Sequence, residues 1–381
     1  GSAKPEKYLE FEAEVTVDDD ANTINIKTSK PYANLVGQLC HPTMGITDVE
    51  HIENYDNGII GTGPYKIEEF NGVGVGYTLA ANEYYREDVP YDKINLLFMG
   101  DNSAKTMALQ SGQVDLVENI TNVADIQDFQ DSDDFTVDIA SGVRCGFAWM
   151  NFDGVLGNKT LRQAILMAID YDTICNSRTI GGLYTPGFSV LPSTLNYDYD
   201  KLENPYTYDP EKAKQILDDA GIVDTDGDGI REKDGKKLVV KWLTYPSRQE
   251  LPLLAESAQA TLKDIGIEVD INCTADNNSI LEDPTAWDVY AMANVQAPTG
   301  DPEYWFTVFA TSDATKNSGK YSSAKLDELE AQLSKEFDND KRAELAVQMQ
   351  QTILDDNAFV FCSFLKMSMI SRSNVTGYES H

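Results

Sequence analysis

The sequence is poor in the residues from which metal centres and nucleophilic sites are usually built. Its 381 residues hold three histidines, His41, His51 and His381. A two-histidine metal site would need His41 and His51, ten apart in a turn-rich stretch, and none is expected. The five cysteines, Cys40, Cys145, Cys175, Cys273 and Cys362, are odd in number and widely spaced. No pair has CxxC spacing, so neither a zinc cluster nor a disulfide framework is indicated. Cys145 and Cys362 lie in apolar, strand-like runs, the setting of buried thiols. There is no GxSxG, no HExxH and no cysteine with a suitable histidine partner, so nucleophilic catalysis finds no support. Positive charge is scarce too: 30 Lys and Arg face 63 Asp and Glu, a net of -33. A surface this acidic repels nucleic acid and anionic membranes and suits solubility outside the cytoplasm. No apolar run reaches the ~18 residues that a membrane-crossing helix needs, and no signal-peptide pattern opens the chain.

The 41% hydrophobic and 10% aromatic content supplies cores for roughly two or three domains. Residues 11–28 alternate as two short strands about the turn Asp18–Asn22. Pro31, Pro42 and Asp56-Asn57-Gly58 mark turns in the mixed stretch that follows. Gly61-Thr-Gly-Pro64 feeds a strand, and Gly72-Val-Gly-Val-Gly76 reads as a hairpin turn because it lacks both GxGxxG and a GK[ST] lysine. A strand at 90–99, a helix from Ser103 to Ser111 and a strand at Val114–Val117 predict a βαβ unit with parallel pairing. A second such unit is predicted from Leu238–Leu243, the helical 251–265 and Ile267–Ile271. Asp209-Pro210 to Gly221 is a complete helix signal, with cap, first-turn proline and terminating glycine. Gly181-Gly182, Pro186 and Pro192 mark a long irregular loop. Helices at 325–333 and 340–353 and a buried strand at Ala358–Leu365 complete the chain.

Between the two units lies Arg144-Cys-Gly-Phe-Ala-Trp-Met-Asn-Phe-Asp153, an aromatic run of strand length opening on a positive charge. The helix beyond it sets Leu161, Ala164, Ile165, Ala168 and Ile169 on one face and Arg162 with Gln163 on the other. A strand and helix so placed can carry the chain from one domain into the next, along the floor of a cleft where ligands bind.

Two further stretches carry chemistry. Asp224-Thr-Asp-Gly-Asp-Gly229 begins like an EF-hand loop: Asp224, Asp226 and Asp228 take positions 1, 3 and 5, Ile230 offers a carbonyl and Glu232 a carboxylate. Position 12 is Gly235 instead of a bidentate Glu. The loop is either a plain acidic hairpin turn or a weak structural calcium site. In the stretch 294–306, Tyr304, Trp305 and Phe306 follow Asp301, and rigid aromatics beside a carboxylate suit a ligand with an apolar body and a positive charge. A turn with a capping Asp before an aromatic core helix explains the same pattern.

Together these stretches resemble the extracytoplasmic solute-binding proteins of ABC importers, in the family serving peptides and nickel (solute-binding protein family 5). The resemblance rests on Gly61-Thr-Gly-Pro-Tyr-Lys-Ile67, Lys105–Val117, Met150-Asn-Phe152, Leu161-Arg-Gln-Ala-Ile165 with Ala168-Ile-Asp170, Asp209–Gly221, Gly300-Asp-Pro302, and Lys320–Ser323 with Leu326-Asp327. It implies an α/β, two-lobed periplasmic-binding-protein-like fold (type II), with crossing strands around a cleft that closes by a hinge. The expected domains are 1–60 as the remainder of a small extra domain, 61–143 with 359–381 as an incomplete lobe I, 144–152 as a crossing strand and 153–358 as lobe II. The family's N-terminal part is expected to be missing here. The implied function is capture of a short peptide or a nickel or other metal chelate for a membrane permease, at the cell surface as a lipoprotein or in the periplasm. No catalysis is implied and no cofactor is required; a hydrolytic enzyme and a structural surface protein are the alternatives from other classes. Peptide-binding members carry an Asp a few residues before the turn, where this chain has Pro298, whereas the Ala-Pro-Thr-Gly-Asp-Pro run is closer to members taking nickel or a chelate. Those use an arginine at the crossing strand for the chelator's carboxylate, which gives Arg144 that role. Trp149, Tyr304 and Trp305 would then pack the ligand's body, Asn151 would hydrogen-bond it and Asp301 would stand close by.

Overall fold

In the computed structural model the described residues are 13–41, 44–47 and 61–378. Pro42, His51, the Asp56-Asn57-Gly58 turn and His381 lie outside them. The chain divides into two compact units. Of the described residues, one comprises those up to 120, 124–138 and 369–378; the other comprises 121–123 and 139–368.

The smaller unit is built from short antiparallel pieces. Strands β1 (Ala13–Asp18) and β2 (Thr23–Thr28) form a hairpin across the Asp18–Asn22 turn. Strands β3 (Tyr65–Gly72), β4 (Gly76–Ala81) and β5 (Lys93–Leu97) make a three-stranded meander. Gly76, at φ 149°, sits where a Cβ would lie 1.8 Å from the Leu96 carbonyl oxygen, so the triple-glycine run serves a tight turn. The helix Asn102–Ser111 is capped by Asp101, which accepts from the Ala104 N–H, and stops at Gly112 in the left-handed region. The parallel βαβ unit expected here does not form. Among the described residues β5 pairs with β4 alone, and β6 (Leu116–Glu118) pairs antiparallel with Met369–Ser371 at the far end of the chain. Sequence order supplied strand, helix and strand; pairing was decided by a chain end more than two hundred residues away.

The larger unit holds a mixed sheet. Its strands are β7 (Phe135–Met150), β8 (Tyr184–Pro186), β11 (Val239–Thr244), β12 (Glu268–Cys273), β13 (Val289–Val295) and β14 (Phe359–Arg372), with the two-residue strands β9 (Glu232–Lys233) and β10 (Lys236–Lys237) as a separate ribbon. The order is β12-β11-β13-β7-β14, with β8 paired antiparallel to β14. β11 runs parallel to both β12 and β13, so the second βαβ unit forms as expected. β13 runs antiparallel to β7, setting Val295 opposite Arg144 and Tyr290 opposite Trp149.

β7 is longer than the expected 144–152. It starts at Phe135, because Ser141-Gly142 does not break the alternation of Val137, Ile139 and Val143. Its first residues belong to the smaller unit, and Arg144–Met150 to the larger one. Arg162, expected with Gln163 on the helix face away from the apolar one, is itself buried, 4% exposed. Its guanidinium donates to the carbonyls of Leu156, Gly157, Asp356 and Asn357 and lies 4.0 Å from the centroid of the Phe152 ring. A fork of five donors can close several chain ends at once, and helical periodicity does not reveal that use.

Candidate functional site

Arg144 is half-buried on β7, and the elements packed near it supply an unusual set of charges. The turn after β11 carries Tyr245 and Arg248, the helix Glu250–Asp264 opens on Glu250, and β8 brings Tyr184. Glu250 is 1% exposed and accepts a hydrogen bond from the Tyr184 hydroxyl at 2.8 Å. Gly146 makes room for it, since a Cβ there would lie 3.3 Å from Glu250 Cγ. Burial pushes the Glu250 carboxyl above its ordinary range, while Tyr184, Arg248 and Arg144 pull it back. Burial also lowers the Arg144 pKa, and the positive charge of Arg248 lowers it further; Glu250 acts in the opposite sense. Tyr184 is raised, first by burial and then by Glu250. Tyr245 holds the backbone of β13, its hydroxyl oxygen accepting from the Ala293 N–H at 3.1 Å.

The two arginines are the chemically open part of this cluster. Among the described residues, neither guanidinium forms an ion pair or donates a hydrogen bond. Two mutually repelling cations over one buried carboxyl can receive an anionic group, and an arginine fork matches a carboxylate in two parallel hydrogen bonds. Sequence reading found Arg144 and missed Tyr184, Arg248 and Glu250. The available signal was position: Arg248 follows the carboxyl end of a parallel strand, where α/β sheets place their ligands.

The other expected ligand residues are tied up in the fold. The Asn151 amide donates to the carbonyls of Pro284 and Trp287, and its oxygen accepts from the Asp153 N–H. Asp301 accepts from the Glu303 N–H with one oxygen and from Arg342 with the other, at 2.6 Å. Trp305 has no exposed surface and packs edge-on against Phe147 and Phe359. Trp149 is 3% exposed and lies flat on Tyr290, centroids 5.4 Å apart. In this structure these four act as core and turn residues, because the aromatic turn packs onto the inner strands of the larger unit. Tyr304 is half-buried, in edge contact with Phe309.

The acidic loop does gather its carboxylates. Oxygens of Asp224, Asp226, Asp228 and Glu232 lie within 4.8 Å of one another. The loop also holds itself together. Asp224 accepts from the Gly227 and Gly229 N–H groups, and Glu232 accepts from both the backbone and hydroxyl of Thr225. Lys237 pairs with Asp228 and, at 3.3 Å, with Asp226. An internal ammonium thus stands beside two of the four candidate carboxylates.

The family model for bacterial extracellular solute-binding proteins, family 5 Middle, matches residues 2–317, and the chain belongs to that family. It is 26% identical over 360 residues to the nickel-binding protein NikA of Staphylococcus aureus, covering 93% of this chain and 70% of that protein. It is 28% identical over 342 residues to the oligopeptide-binding protein AppA of Bacillus subtilis, covering 88% of this chain and 62% of the relative. Among solved structures, a nickel ABC transporter protein of Bacillus halodurans superposes with a TM-score of 0.80 at 27% identity, over 98% of this chain and 76% of that one. The fold is therefore the two-lobed α/β fold of the family's solute-binding proteins, and the relatives are transport proteins that bind substrate. Among the described residues no helix is long and apolar enough to cross a membrane.

Proposed function

We propose that this chain captures a small carboxylate-bearing solute outside the cytoplasm and hands it unchanged to the membrane permease of an ABC importer. The observation that carries the reading is the unpaired couple Arg144 and Arg248 beside buried Glu250. The two arginines take the solute's carboxylate. Tyr184 and Tyr245 line the same cluster, and Glu250 limits how much negative charge it accepts.

Short peptides and metal chelates both carry such carboxylates. The relatives named for nickel and for oligopeptides support both solute classes. A chelate brings its own donor atoms to the metal, so nickel held this way needs only the arginine fork from the protein. We further propose that the acidic loop at 224–232 takes calcium weakly, as a brace for the hairpin. Calorimetry against dipeptides, tripeptides and nickel with histidine tests the solute reading. One class should bind saturably and be recovered intact, and release of a hydrolysed product would overturn it.

A further inference from the structure

We propose that a pocket in the larger unit, lined by residues separate from the Arg144 cluster, binds a small cationic arylalkylamine, a single aromatic ring with a short ammonium arm. The pocket has a volume of about 210 Å³. Its floor is Leu166, Tyr206, Phe359 and Phe361, all buried. Its mouth is marked by the exposed Asp172, Asn204, Thr207 and Tyr208, with Phe188 half-buried in the wall.

Three features select the ligand. The first is size: a cavity of about 150 Å³ accommodates benzene, so this one holds a ring with a two-carbon arm. The second is charge. Asp170 and Asp172 line the pocket and no Lys or Arg does. Asp170 already accepts from the backbone and hydroxyl of Thr173. The Asp172 carboxylate takes no hydrogen bond from a described residue and remains free for a cation at the mouth. Tyr208 lines the same pocket and is exposed, and an aromatic ring there suits a cation. The third is a single unmet polar group. Tyr171 lines the pocket, and its hydroxyl is buried without a hydrogen-bond partner among the described residues. Burial also pushes that phenol well above its ordinary pKa, so it stays neutral. An orphaned buried hydroxyl is costly, and most find a partner. Tyr171 opens the helix Tyr171–Cys175, between Asp170 and Asp172 in the chain. The ring of the ligand then lies on Phe359, Phe361 and Tyr206. The Tyr206 hydroxyl is not available to it, being donated to the Leu354 carbonyl and lying 2.9 Å from the Asn357 side-chain oxygen.

The test is calorimetric titration of the protein with phenethylammonium chloride, set against sodium 3-phenylpropionate, an anion of nearly the same shape. The expected result is saturable one-to-one binding of the amine and at least tenfold weaker binding of the acid. Tyr171→Phe should weaken the amine about tenfold, as loss of a hydrogen bond to a charged group does. Asp172→Asn, at an exposed position that leaves the fold intact, should weaken it about threefold, the range of a solvent-screened ion pair. The proposal is overturned if the amine shows no saturable binding, if the acid binds as tightly, or if the amine's affinity is the same in parent, Tyr171→Phe and Asp172→Asn. None of these results depends on the solute of the Arg144 cluster, so either reading can fail alone.

Discussion

Replacing Arg144 by alanine removes one of the two unpaired cations from the cluster while leaving Glu250 held by Tyr184. A carboxylate about 4 Å from a guanidinium gains about 4 kcal/mol at the effective dielectric of a site near the surface. Arg144 is only half-buried, so solvent screening cuts that to about 2 kcal/mol, roughly a thirtyfold change in Kd. Arg144→Lys keeps the charge but loses the planar fork, and about 1 kcal/mol, roughly fivefold, is expected. The assay is calorimetry of the parent and both variants with trialanine and with nickel–histidine, alongside a thermal melt to show that each variant is folded. The predicted order for whichever solute binds is parent, then lysine, then alanine. A folded Arg144→Ala protein that binds that solute with the parent Kd would refute the assignment of the carboxylate to this arginine.

Glu250 gives a pH signature. Burial raises its pKa in the folded state, so its contribution to stability is present at low pH and is lost as pH rises through that raised value. Glu250→Gln keeps an acceptor for the Tyr184 hydroxyl, and its melting temperature should gain on the parent as pH climbs above the ordinary carboxylate range; parallel curves would count against the buried charge. Arg342→Ala removes the partner of Asp301 and of Glu303, the latter 3.7 Å away, and should cost about 3 kcal/mol, or about 6 to 12 °C in the thermal melt of a unit this size. Lys237→Met frees Asp226 and Asp228, so calcium added to that variant should bind about tenfold tighter than to the parent, read by calorimetry with calcium chloride. Equal affinity would remove Lys237 as the competing cation.

Much of the fold was legible because it is local. Asp209, Pro210 and Gly221 fix both ends of a helix within a dozen residues, and the structure begins and ends it at those signals. The first βαβ expectation failed because strand pairing is not local: β6 pairs with the chain's last strand. The site shows the same division. Arg144 stands out as a charge opening an apolar strand, so sequence could nominate it. Glu250 reads as an ordinary first-turn acid of an amphipathic helix. Only the packing of that helix against Gly146 and Tyr184 buries it. Asp301 and Trp305 were nominated from a composition that a turn and a core share. Their partners, Arg342 and the Phe147–Phe359 cluster, come from distant parts of the chain.

The most direct test of a carboxylate held by Arg144 and Arg248 is to change the solute and leave the protein alone. Trialanine and nickel–histidine should each be titrated as the free acid and as the carboxamide under identical conditions. The account predicts saturable binding of at least one free acid and at least tenfold weaker binding of its amide. An amide that binds as tightly as its acid, or saturable binding by neither pair, would contradict it.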